Sequence, residues 1–246
     1  MKVLLEKDKL DDAKKLIDNF LEKDNLKRIK NISEKIGLNY NLHIHFEIVS
    51  SEVKYIFNYL SGAFGNTNLK KGADEIKKFL EGKAFSESVK HFSGRAIYDR
   101  AVVKKVSLSL SYLKDINLNF IPEIENLCSK LNNEFEKGKT IILIGVSKKE
   151  KIENFDRLLS HEIFHLVLFS NKIRFESIDK KYSNLDEGLA IFLSYLWEGN
   201  IKKVLELKKE LDKKSAMFWY KELMFVPSGK ETKKIKEVYD KLKNRR

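Results

Sequence analysis

Residues 155–170 of this 246-residue chain read FDRLLSHEIFHLVLFS, and this stretch decides how the second half of the protein is built. Its apolar side chains recur at steps of three and four residues, which predicts a helix over about residues 154–169. At about 100° per residue, His161 and His165 differ by roughly 40° and share one face of that helix, one turn apart. The core-facing positions on the other side are Leu159, Ile163, Leu166 and Val167.

Two imidazoles one helical turn apart can occupy two coordination positions of a single Zn²⁺ ion. Glu162 follows the first histidine and lies within reach of a water molecule on such a metal. The spacing therefore predicts a zinc site on this helix. A helix whose histidines only cap an edge of the core is the alternative, which the motif alone leaves open.

The next predicted helix, over residues 185–197, begins with an acidic residue in the sequence LDEGLA. A loop over residues 170–184 lets this helix fold back, and Gly188 and Ala190 are small enough for the two helices to approach closely. A catalytic zinc takes three protein ligands, so Glu187 is the candidate for the third. Alternatively, Glu187 is a solvated acid that the helix dipole favours in a first turn.

HEIFH followed by DEGLA resembles the gluzincin group of zincin metallopeptidases, over roughly residues 140–197. The resemblance implies a zincin-like fold and a Zn²⁺ ion bound by His161, His165 and Glu187. It implies that Glu162 is the general base in the hydrolysis of peptide bonds, with a peptide or an unfolded protein as the substrate. No third histidine follows shortly after HEIFH, which argues against the metzincin branch.

Members of this group also need a donor for the oxyanion, usually a downstream Tyr or His. No histidine follows the motif here, so the candidates are Tyr195, Tyr220 and Tyr239, with Tyr220 preferred unless it is simply a core aromatic. The apolar run TIILIGV at residues 140–146 predicts a strand. This strand is either an edge that pairs with an extended substrate or a buried central strand.

The order of elements predicts an α+β fold, with a mixed helix–strand N-terminal half and an all-helical C-terminal half. One domain over residues 1–246 is expected, with 1–37 as a possible helical N-terminal extension and 140–197 as the metal-binding core. Further helices are predicted at 2–36 (one or two), 51–60, 73–80, 120–135, 201–213, 215–224 and 230–243. Further strands are predicted at 40–49 and within 95–112, and a loop at 61–72.

Residues 40–49, YNLHIHFEIV, alternate between apolar and polar side chains, which predicts a half-buried strand. His43, His45 and Glu47 share its polar face, and we expect the two histidines to be exposed there. A contribution of these histidines to a substrate cleft is the alternative. Cys128 lies among apolar helix positions and is expected to be a small buried residue, and His91 has no identifiable partner.

The formal net charge is +12, from 48 Lys and Arg against 36 Asp and Glu. The excess is mostly lysine interleaved with acidic residues, which favours solvated helix faces over a nucleic-acid interface. If the charge acts in function, we expect a preference for acidic or unfolded substrates. A catalytically inactive zincin-scaffold binding protein and, less favoured, a basic nucleic-acid-associated domain remain alternatives.

The single cysteine excludes an intramolecular disulfide and any multi-cysteine zinc or iron–sulfur site. The N-terminus carries acidic residues where a signal peptide would need its apolar stretch. The longest apolar runs are far shorter than the roughly 20 residues that span a bilayer. We therefore expect a cytoplasmic protein with no membrane partner.

Overall fold

The structure, a computed structural model, describes residues 7–63, 78, 93–111, 113, 120–147, 154–171 and 185–199. The helices and strands within them are α1 (Lys7–Glu22), α2 (Asn25–Lys35), β1 (Ile44–Ser50), α3 (Ser51–Ala63), β2 (Ala96–Ile97), α4 (Arg100–Ser111), α5 (Ile121–Glu136), β3 (Thr140–Val146), α6 (Phe155–Ser170) and α7 (Leu185–Glu198). This part of the chain is mostly helical with a small three-stranded sheet, which confirms the α+β class at that level.

The chain forms two compact units. The first comprises Met1–Asn19 and His43–Glu153 and contains the sheet, whereas the second comprises Phe20–Leu42 and Asn154–Arg246 and contains α6 and α7. Each unit is therefore assembled from segments that are distant in sequence. A single domain with residues 1–37 as an extension and 140–197 as its metal-binding core stays a prediction.

The sheet of the first unit has the strand order β1-β3-β2. β3 pairs in parallel with β1 and antiparallel with β2, and the antiparallel pairing continues through hydrogen bonds between Ser93 and Gly145. Residues 141–146 of TIILIGV are all buried. Of the two interpretations of this run, the buried central strand is confirmed. An edge for an extended substrate is wrong, because both sides of β3 are already hydrogen-bonded.

The predicted strand within residues 95–112 is also wrong, since only the short β2 is a strand and α4 takes up most of this stretch. Val103, Val106 and Leu110 recur at helical spacing, are almost fully buried and face α3 and α5. Leu108, which completes the apparent alternation, is 57% exposed. The sequence fits both periods in part, and the residues at helical spacing are the ones that are buried.

The polar face of β1 is not a solvent-exposed face. Glu47 is buried, and its Oε1 accepts a hydrogen bond of 2.9 Å from Lys130 Nζ on α5. The imidazole of His45 lies between two carboxylates, with Nε2 3.1 Å from Glu47 Oε2 and Nδ1 3.5 Å from Glu134 Oε2. The expectation of exposed histidines therefore holds for His43 and is wrong for His45, which is half-buried.

The remaining helices that fall on described residues agree with the sequence. The described part of the helical pattern predicted over residues 2–36 corresponds to α1 and α2, and the left-handed φ of 81° at Gly37 ends it. Pro122 lies in the first turn of α5, where no backbone N–H is required. Cys128 is buried as expected, and burial raises the pKa of its thiol to about 11.

Several predictions fall outside the described residues. These are most of the loop at 61–72, the helix at 73–80, His91, the three helices after residue 200, Tyr220 and Tyr239. None of the helices in the described ranges is long and apolar enough to cross a membrane.

Candidate metal centre

Helix α6 belongs to the second unit and packs there against α2 and α7. Its aliphatic side is buried almost completely, as the sequence predicts. A set of half-buried residues recurs every four positions and so forms one stripe along the helix. This stripe, called the histidine stripe below, consists of Arg157, His161, His165 and Phe169.

Both ends of α6 are fixed by asparagines. Asn154 precedes the helix in the left-handed conformation (φ 60°), which asparagine tolerates better than most residues, and its carbonyl accepts the first helical bond. At the other end, Asn171 Nδ2 donates to Asn39 O at 2.8 Å, while Asn39 N donates to Asn171 Oδ1 at 2.9 Å. This exchange ties the end of α6 nearest His165 to the segment that follows α2.

The two histidines of α6 bring their ring nitrogens together. His161 Nε2 and His165 Nε2 are 3.1 Å apart, and the rings are nearly perpendicular with centroids 4.6 Å apart. With Zn–N distances of about 2.0–2.1 Å, this separation corresponds to an angle of about 95–102° at the ion, near the tetrahedral value. The pair therefore fits two positions of a zinc site. A hydrogen bond between two neutral imidazoles has the same length.

Glu162 lies between the two histidines in sequence and is only 6% exposed. It is about 100° around the helix from His161 and about 60° from His165. Enclosing a carboxylate is costly unless polar partners or a cation hold it. Glu162 is therefore not an ordinary solvated residue of a helix surface.

Helix α7 runs antiparallel to α6. The guanidinium of Arg157, in the first turn of α6, lies 5.1 Å from the ring centroid of Tyr195 and 3.9 Å from Glu198 Oε2, near the end of α7. Eight residues, or about 12 Å of helix, lead from Arg157 to His165, and the same number leads back from Tyr195 to Glu187. Glu187 therefore lies in α7 at about the level of His165.

The described side chains contain part of the predicted site. His161, Glu162 and His165 come together on α6, whereas the side chain of Glu187 is outside what the structure describes. Within the described residues, no group of three or more His, Cys, Asp or Glu is placed to hold a metal. Of the tyrosine candidates, only Tyr195 is described, and Arg157 covers one face of its ring.

Arg157 is not among the site residues predicted from the sequence. The available signal was its spacing, one turn before the first histidine of HEIFH and on the same side of the helix. Comparisons of the chain with protein-family models, with curated proteins and with solved structures gave no match.

Proposed function

We propose that this protein is a zinc-dependent peptidase with a zincin-like, gluzincin-type metal site. The observation that carries the proposal is the 3.1 Å separation of the two Nε2 atoms on α6, which suits a single tetrahedral ion. His161, His165 and Glu187 are its proposed ligands. The antiparallel register of α6 and α7 supports Glu187 in this role, and fully buried Ala190 agrees with a close approach of the helices. A cytoplasmic location, argued from the sequence, is part of the same proposal.

The proposed reaction is the hydrolysis of a peptide bond by water. A zinc ion held by His161, His165 and Glu187 would polarise the scissile carbonyl and lower the pKa of the attacking water. The Glu162 carboxylate accepts the proton of that water and, once protonated, donates it to the nitrogen of the leaving amine. The near-complete burial of Glu162 keeps bulk water away from the carboxyl while it carries this proton.

A Glu162→Gln substitution tests the proposal. The zinc-loaded wild-type protein should hold about one zinc per chain, measured by atomic emission, and should cleave a fluorescently labelled unfolded protein. The variant should keep the zinc and lose at least about 100-fold in rate, because the amide cannot accept the proton. Glu34→Gln is the matched control, since Glu34 is exposed on α2 and forms a surface ion pair with Lys30.

Each other outcome points to a different alternative. A protein that takes up no zinc is not a zinc peptidase. Zinc without cleavage by the wild type supports the inactive zincin-scaffold binding protein. A Glu162→Gln variant that cleaves as fast as wild type shows that the assigned base is wrong. Binding to nucleic acid that weakens steeply with salt would support the basic-domain alternative.

A further inference from the structure

The histidine stripe of α6 carries a cation next to the proposed metal ligands. Arg157 precedes His161 by one turn, and His165 follows by one more, so the three residues are spaced at about 6 Å along the helix axis. The Arg157 side chain is 25% exposed, so that its guanidinium can meet a ligand while its stem is packed. The site described above therefore continues along α6 beyond the histidines.

Among the described residues, the guanidinium of Arg157 contacts an aromatic ring and a carboxylate without donating a hydrogen bond. It lies over the Tyr195 ring, and Glu198 Oε2 approaches Nη1 only to 3.9 Å, which is beyond hydrogen-bond distance. No hydrogen bond joins this guanidinium to any residue the structure describes. By contrast, Arg95 and Arg100 donate to neighbouring side chains at 2.6–3.0 Å.

These observations describe a preorganised site for a carboxylate. Cation–π attraction to the Tyr195 ring holds this guanidinium without occupying its N–H groups, which can therefore donate in the fork geometry that matches a carboxylate. The ion pair with Glu198 is long and partly exposed, so it competes only weakly. An incoming carboxylate can replace it without breaking a hydrogen bond.

We propose that Arg157 binds a carboxylate of the substrate and thereby makes the peptidase select acidic peptides. The inference rests on the proposed function. The point midway between the two histidines lies six residues, or about 9 Å, from Arg157 along the helix. An extended peptide spans about 3.3 Å per residue, and the Arg157 side chain leans toward the N-terminus of the helix, so the carboxylate belongs about three or more residues from the scissile bond. Its source is either an Asp or Glu side chain or the free C-terminus of the peptide.

Binding and cleavage of a matched peptide series test this site. The series is a neutral peptide with an amidated C-terminus, the same peptide with one Glu moved along its length, and the same peptide with a free C-terminus. Binding is measured by fluorescence anisotropy on the full chain carrying Glu162→Gln after addition of zinc, and cleavage is measured on the chain with Glu162 intact. The preferred acidic peptide should bind about tenfold or more tightly than the neutral one.

Substitutions at Arg157 and at Glu198 should move this preference for the acidic peptide in opposite directions. Arg157→Gln should abolish it, and Arg157→Lys should keep only part of it, because an ammonium lacks the planar fork. Glu198→Gln should increase it, because the competing carboxylate is removed. In the cleavage assay, the effect of these substitutions on the preference should appear in KM rather than in kcat. Arg100→Gln, a matched substitution of an arginine in the first unit, should leave the preference unchanged.

The outcomes separate this proposal from the proposed function. Equal binding of acidic and neutral peptides by wild type overturns it, as does an unchanged preference in Arg157→Gln. If Arg157→Gln does not fold by circular dichroism, Glu198→Gln decides, and a preference that fails to rise overturns the proposal. If the protein binds acidic peptides preferentially but cleaves none of them, the peptidase function is overturned and the carboxylate site is supported. The source of the carboxylate is identified by whether the peptide with the free C-terminus or the peptide with the internal Glu binds more tightly.

Discussion

Replacing His161 and His165 by alanine, singly and together, tests whether the two imidazoles hold one ion. The Nε2 separation of 3.1 Å gives an angle of about 95–102° at a zinc ion with ordinary bond lengths. Structural zinc sites bind with apparent free energies of about 10–16 kcal/mol, so one of four ligands accounts for roughly 2.5–4 kcal/mol. Each single substitution should therefore weaken zinc binding by about 10²–10³-fold. The double substitution should weaken zinc binding by less than the product of the two single effects, because the loss of either histidine already breaks the chelate.

Competition with a chromophoric zinc chelator at pH 7 measures the zinc affinity of the wild type and the three variants. Thermal unfolding of the same samples is a second readout, since zinc at 100 times its Kd adds about 2.7 kcal/mol to the stability of the folded protein. Without metal, the variants should lose only about 0.5–1.5 kcal/mol, the usual net value of one hydrogen bond. His43→Ala, at an exposed position in the first unit, is the matched control.

Two results would refute the shared-ion interpretation. The first is a single variant that binds zinc within about threefold of wild type. The second is a double variant whose loss of zinc affinity equals the product of the two single losses, as expected for residues that act independently. Either result, together with a small loss of stability without metal, identifies the contact between His161 and His165 as a hydrogen-bonded pair.

The first unit supplies three more predictions. A methyl group at Gly145 would lie 2.7 Å from Lys54 Cδ and 3.1 Å from Lys54 Cβ. Gly145→Ala should therefore lower the free energy of unfolding, measured in urea, by about 1–3 kcal/mol. An unchanged urea midpoint would contradict this packing. Hydrogen bonding from Lys137 lowers the pKa of Glu134 from its usual 4.5 to about 2. The ionised Glu134 carboxylate therefore stabilises the fold fully above pH 4.5, and this stabilisation is lost as the pH falls toward 2. In acid unfolding, the Glu134→Gln variant should not show this part of the fall in stability. The buried Cys128 thiol, with its pKa raised to about 11, should react with a thiol reagent at pH 8 only when the protein unfolds.

Helix α6 was predictable because one physical requirement dominates its sequence. Leu159, Ile163 and Val167 need burial on one side, and the residues between them satisfy the helical period without conflict. Helix α4 shows the opposite case. There Leu108 adds an alternating pattern to a helical one, and only packing against α3 and α5 decides that Leu108 is left exposed.

Polar residues were harder to place than apolar ones. Glu47 and His45 sit on the polar side of an alternating strand, and a single sequence gives no reason to bury them. Lys130 and Glu134 supply the charges that make this burial possible, and α5 brings them there from more than eighty residues away along the chain. Partners of this kind become visible only when the strand pairing and the helix packing are known.

The second unit shows why the candidate site was only partly predictable. Sequence spacing places His161 and His165 within one helix, because a helix has a fixed rise and a fixed angle per residue. It cannot set the register between α6 and α7, which becomes visible only in contacts between the two helices, such as that of Arg157 with Tyr195.

The segment before β1 also helps to hold that register. The ring centroids of Phe20 and Trp197 lie 6.0 Å apart, and the Arg28 guanidinium is 5.6 Å from the Trp197 ring centroid. Helix α2 packs against both α6 and α7, and Asn39 is bonded to the end of α6 through Asn171. A metal held by one ligand from α7 and two from α6 requires these helices to keep a fixed relative position. Residues 20–42 therefore belong structurally to the unit that carries the histidines, although the sequence alone presents residues 1–37 as a possible helical extension.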